Sequence, residues 1–172
     1  ELVTVDVKGL TLEAAEGSDE NPEIESFKPQ GADDPSEPAI LVNADNVTIN
    51  SIDAVEGIAP RNNQDVIEIA DGVSGTTLAN LAVESPEFAG SAGSTGEPVI
   101  GVPSGEAISD ITIRNVTADR SIGLVANDSA EIVLDNVTAT KTDKGEAVFI
   151  TGPSFGPADV DLTIESLTPQ EN

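Results

Sequence analysis

The octets ITIRNVTA (111–118) and IVLDNVTA (132–139) are nearly identical and lie 21 residues apart. Their shared core is apolar–x–Asn–apolar–polar, and the same core recurs along the chain once the middle residue is relaxed. The copies are VKGLT (7–11), INSID (49–53), LANLA (78–82), IRNVT (113–117), LDNVT (134–138) and IESLT (164–168). Their third residues are Gly9, Ser51, Asn80, Asn115, Asn136 and Ser166. Gly and Asn adopt a left-handed backbone most readily, and Ser favours turns. Each copy therefore reads as one bend between two short strands.

A further β-rich run precedes each later copy: AILV (39–42), DVIEIA (65–70), PVIGV (98–102), IGLVA (122–126) and AVFIT (147–151). Each repeat thus reads as strand, turn, strand, one-residue bend, short strand and a variable loop. The shortest period is 21 residues, and the others are 42, 29, 35 and 30. Fixed strands with variable loops are the mark of stacked repeats. Hairpin signals are scarce, Asp71-Gly72 being the one pair of that kind, which argues against a β-sandwich. No segment sustains a helical period, and a short helix within 13–27 is poorly supported, since Gly17 and Pro22 interrupt it.

Over roughly residues 3–168 the pattern resembles the right-handed parallel β-helix of the pectin-lyase-like superfamily. The resemblance implies an all-β solenoid of about six rungs, forming a single domain over 1–172 with long acidic insertions at 13–38, 55–64 and 84–97. It also implies that Asn80, Asn115 and Asn136 stack as an asparagine ladder with inward amides. No amphipathic helix offers to cap the ends of such a solenoid. The insert 13–38, anchored by Phe27, is one candidate cover, and a neighbouring subunit is another.

Composition sets the environment. The chain carries 32 Asp+Glu against 7 Lys+Arg, a formal net charge of −25, with 38% hydrophobic residues. That apolar content supports a core, so the acidity belongs to the surface of a folded protein and not to a disordered tail. Such a surface repels itself at low ionic strength, and the expectation is a salt-adapted, secreted protein of the extreme-halophile type. Nucleic acid and anionic membranes are poor partners for it, and no apolar run is long enough for a transmembrane helix. No signal peptide is visible, and an opening on Glu1 fits a processed product or a fragment of a larger protein.

Chemistry is sparsely signalled. There is no Cys, His, Met, Trp or Tyr. Disulfides, thiolate metal sites and imidazole acid–base chemistry are therefore excluded. NQDVIEI (63–69) resembles the NTDGIDI stretch of polygalacturonases, with Asp65 at the acid position. The paired-Asp, Gly-His-Gly and Arg-Ile-Lys motifs of that family are absent. Pectate lyases use an acidic calcium cluster with an Arg base, whereas Arg114 and Arg120 have no such cluster nearby in sequence. A polysaccharide site, if present, would use Asp65, Glu68 and Arg61, with two carboxylates as the minimum for glycosidase work. No cofactor is expected. Weak calcium or monovalent cation binding has the right composition in GADDPSEP (31–38), at Asp33 and Asp34.

Four N-x-S/T sequons occur, at Asn46, Asn115, Asn127 and Asn136. As ladder residues, Asn115 and Asn136 are poor acceptors, which leaves Asn127 first and Asn46 second as glycosylation candidates. The leading expectation is a non-catalytic structural protein, extracellular or on a cell or virion surface: a subunit of a filament, coat or spike. Self-association would use Leu2, Val3, Val5 and Val7 at one end and Val160, Leu162, Ile164 and Leu167 at the other. The alternatives are a polysaccharide-binding or polysaccharide-cleaving module and a domain of a larger adhesin.

Overall fold

The fold is built from β-branched and aliphatic runs too short to bury themselves alone. In the computed structural model these runs pair in parallel, each with the corresponding run of the next pass of the chain. The structure describes residues 2–17, 20–26, 38–56, 66–84, 98–102, 107–141, 147–152 and 160–171. All secondary structure among them is strand.

The first sheet takes one strand from each pass. Its members are β1 (Val3–Val5), β4 (Ile40–Val42), β7 (Ile67–Ile69), β9 (Ile100–Gly101), β11 (Ile122–Val125) and β13 (Val148–Thr151), in that spatial order. The second, nine-stranded sheet holds β2 (Thr11–Glu13), β5 (Thr48–Asn50), β8 (Thr76–Glu84), β10 (Ile111–Ala118), β12 (Glu131–Lys141) and β14 (Asp161–Ile164). It bends part-way along. Beyond the bend lies a third arm, in which β6 (Asp53–Glu56) and β15 (Leu167–Glu171) pair with the distal halves of β8 and β12, and β3 (Glu23–Ser26) pairs with β6. Every pairing between named strands is parallel. This architecture is compatible with a parallel β-helix.

The opening octets sit where their sequence predicts. Ile111–Ala118 and the matching part of β12 are in register, Ile113 opposite Leu134 and Val116 opposite Val137. Between those pairs the chain turns at a left-handed residue: Ser51 (φ 56°), Asn80 (56°), Asn115 (50°) and Asn136 (51°). The apolar neighbours of each bend point inward. Ile49, Leu78, Ile113 and Leu134 form one fully buried row, and Ile40, Ile67, Ile100 and Ile122 form another on the first sheet. Each fully buried Ile or Leu contributes about 1.5–3 kcal/mol, which makes these rows the main source of stability.

Two expectations are corrected, and the weakly supported helix is replaced by a strand. Gly9 does not share the bend of Ser51 and Asn80. Thr11 pairs with Thr48 and Thr48 with Thr77, so Gly9 falls in register with Asn46 and Gly75. These three line a second corner, between the first and second sheets, with φ of 74°, 57° and 74°. Both corners need a left-handed residue between apolar ones, and local sequence does not tell them apart. No helix forms within the described part of 13–27, where Glu23–Ser26 is a strand paired with β6. Finally, Asn80, Asn115 and Asn136 are exposed, so the ladder runs along the outside of the bend. Phe27, the expected anchor of the first insert, lies outside the described residues.

Candidate functional site

Among the described residues, three surfaces are candidates for a functional site. The first is the outer face of the first sheet. Alternation along the strands sets Leu41, Glu68, Gly101, Gly123 and Phe149 in one outward row across neighbouring passes. Gly123 is buried because the Phe149 ring lies directly over it, in the space that a Cβ would need. The Glu68 carboxyl is pushed above its ordinary value, chiefly by burial and then by the charge of Asp71. A single half-buried carboxyl that resists ionisation can hold or deliver a proton, but glycosidic cleavage needs a second one beside it. Asp65 and Arg61, the other two expected members, lie outside the described residues, as do Asp33 and Asp34. Among the described residues, no group of three or more acids gathers to hold a metal.

The second surface is the pair of corners. At the bend within the second sheet, Asn136 Nδ2 donates to Asn115 Oδ1 (2.9 Å) and Asn115 Nδ2 to Asn80 Oδ1 (2.9 Å). Asn80 Nδ2 in turn donates to Asn50 Oδ1 (2.7 Å). The ladder therefore has a fourth amide, Asn50, one residue before its bend. Asn21 tops the row, its Nδ2 donating to Asp53 Oδ1 (2.8 Å) and to the Asn80 carbonyl (3.1 Å).

At the other corner Asp45 accepts from Lys8 Nζ (3.0 Å) and from the Ser74 amide (3.1 Å). These two contacts, the lysine first, hold its carboxyl below the ordinary value. Asp110 accepts from Ser74 Oγ (3.3 Å) and from the Glu131 amide (3.0 Å), beside a polar dent of about 130 Å³ lined by Thr77 and Thr112. Asp45, Asp110, Asn50 and Asn21 escaped the sequence reading. The available signal was their position immediately before a bend or a strand, where a short polar side chain bonds to the next pass.

The third surface is the two ends. Among the described residues, four large aliphatic side chains are exposed: Val7 (56%) and Leu10 (38%) at the first pass, Leu162 (41%) and Ile164 (50%) at the last. Of the other expected assembly residues, Leu2, Val3, Val160 and Leu167 are half-buried. Val5 is buried in the core, with no surface to offer.

The sequons separate as well. Asn127 is exposed in a turn and its amide donates to the Ala107 carbonyl (3.0 Å), while Asn46 is exposed with its side chain lying over Gly75. Asn115 and Asn136 are also exposed, so burial does not bar a glycan there; their amides are engaged within the ladder, as that of Asn127 is with Ala107. Comparison with known protein families, curated proteins and solved structures found no significant match.

Proposed function

We propose that the chain is a right-handed parallel β-helix of about six rungs with long acidic loops, similar to pectin-lyase-like solenoids. On this reading it is a salt-adapted, non-catalytic structural protein outside the cell or on a virion, a subunit of a filament, coat or spike. Right-handedness follows from the strong preference of parallel crossovers. The observation that carries the functional reading is the location of the exposed aliphatics. Val7, Leu10, Leu162 and Ile164 all lie on the first and last passes, where unpaired strands already invite association. The surplus of carboxylates makes that association depend on salt.

Electron microscopy in molar NaCl, across a range of protein concentrations, tests this. Regular filaments or stacked particles are expected, and the pair Leu162→Lys with Ile164→Lys should disperse them. Single particles at every concentration would refute it. Weak cation binding at Asp33 and Asp34 and glycans on Asn127 or Asn46 remain parts of the same proposal. Intact-mass measurement of the native protein tests the glycans.

A second reading, a polysaccharide-binding or polysaccharide-cleaving module, is favoured by Glu68 alone. It is a half-buried carboxyl on the outward row of the first sheet, with its ionisation suppressed. Acidic polysaccharides are the first substrates to screen, and Glu68→Gln or Asp65→Asn should abolish any activity found.

A further inference from the structure

The backbone of the first and last described passes has a direction that can be read from the hydrogen bonds. No described strand lies beyond β13, β14 or β15. The amides of Asp161 and Glu165 donate back to the carbonyls of Ala130 and Leu134, and the Ser166 carbonyl accepts from the Val137 amide. Likewise the carbonyls of Ala147 and Thr151 accept from Ile122 and Ala126. Backbone groups alternate sides along a strand. The outward-aimed groups at this end therefore belong to Val148 and Ile150, to Leu162 and Ile164, and to Leu167, Pro169 and Glu171.

At the opposite end the Val3 amide donates to the Ala39 carbonyl, while the Val5 and Leu10 carbonyls accept from Asn43 and Thr48. That leaves the backbone of Thr4, Thr11 and Glu13 aimed outward. Internal junctions follow the same rule: residues facing the core bond to the following pass, as the Val42 carbonyl does with the Ala70 amide. The two ends are thus backbone complements of one another.

Their side chains match too. Leu10 heads the row Val47, Thr76, Ile111 and Ile132 that ends at Leu162, and Leu12 heads the row that ends at Ile164. A second copy added head to tail would set Leu10 on Leu162 and Leu12 on Ile164, covering the exposed Leu10, Leu162 and Ile164 and the half-buried Leu12.

The third arm breaks the match. Its row runs Ile24, Ala54, Val83, Ala118, Ala139 and ends at Pro169. Proline has no N–H, and here the missing donor falls on the open edge, where an incoming strand would need it. Proline on an exposed edge is a recognised block to strand addition.

We propose that the last pass accepts a second copy of this chain on β13 and β14, while Pro169 withholds β15 and keeps the contact weak and reversible. The first half rests on the assembly reading above; the role of Pro169 is separately testable. The experiment is sedimentation velocity of the wild type, Pro169→Thr and Pro169→Ala over a NaCl and concentration series, with circular dichroism to verify that each variant folds. A restored donor should lower the concentration for half-association by about tenfold, and adding Ile164→Lys to Pro169→Thr should restore monomers. If the wild type associates and neither proline variant strengthens it, the inference about Pro169 falls while the assembly reading stands. If only the proline variants associate, the block is real and the assembly reading falls. If nothing associates, both fall.

Discussion

Asn115 does three things at once: it turns the chain at φ 50°, donates to Asn80 and accepts from Asn136. Asn115→Ala should therefore cost about 2 kcal/mol, from a strained left-handed alanine and two lost amide bonds. Asn115→Gly, which keeps the bend, should cost less. Urea unfolding of the two variants separates backbone from ladder. Gly123→Ala places a methyl where the Phe149 ring lies and should destabilise by about 1–3 kcal/mol. Adding Phe149→Ala should relieve that clash, a coupling readable in a double-mutant cycle. Glu68 sets a pH dependence. Because its folded-state pKa is raised above 4.5, the folded protein holds that proton longer than the unfolded chain. Its contribution thus falls as pH rises from about 4.5 through the folded value. Glu68→Gln should melt about 1 °C higher than wild type at pH 7 and at the same temperature below pH 4. Asp45 has the opposite sign, its lowered pKa adding stability that is lost as pH falls below 3.8.

At the scale of the element, the strands and the main bend were readable because each is specified locally, by β-branched runs around a residue tolerant of positive φ. Register was not. Gly9 satisfies the requirements of both corners, and only pairing over 37 residues, Thr11 with Thr48, decides between them. The same non-locality hid Asn50 and Asn21, whose roles exist only once another pass is alongside. In the first pass the insertion after β2 leaves β3 to be re-docked by its own bonds, among them the Asn21 amide to Asp53 and to the Asn80 carbonyl. Asn21→Ala should loosen β3 selectively. Hydrogen exchange should speed up at 23–26 and remain unchanged in β10 and β12.

For the whole molecule, the acidity is unevenly spread. Residues 111–131 hold two of the three arginines and three acids, whereas nine of the 32 acids fall in 13–38. Repulsion is thus densest in the first insert, whereas 55–64 carries one acid and one arginine. The melting temperature should rise by several degrees between millimolar and molar NaCl, and a flat response would contradict salt adaptation. The function was less legible than the fold. A bend repeats and so declares itself, whereas a site of Glu68 type is a single carboxyl among many. Its environment is set by residues from other passes, such as Leu41 and Gly101.

The shortest period has a consequence for size. Ile111 stands opposite Ile132, so the segment 111–131 can be copied in tandem with every pairing partner, core row and ladder amide reproduced at the seam. Such a duplication adds one layer of about 4.8 Å and changes neither terminus. The height of such a molecule is then set by the number of copies, each 21 residues long, and no new residue is needed to change it.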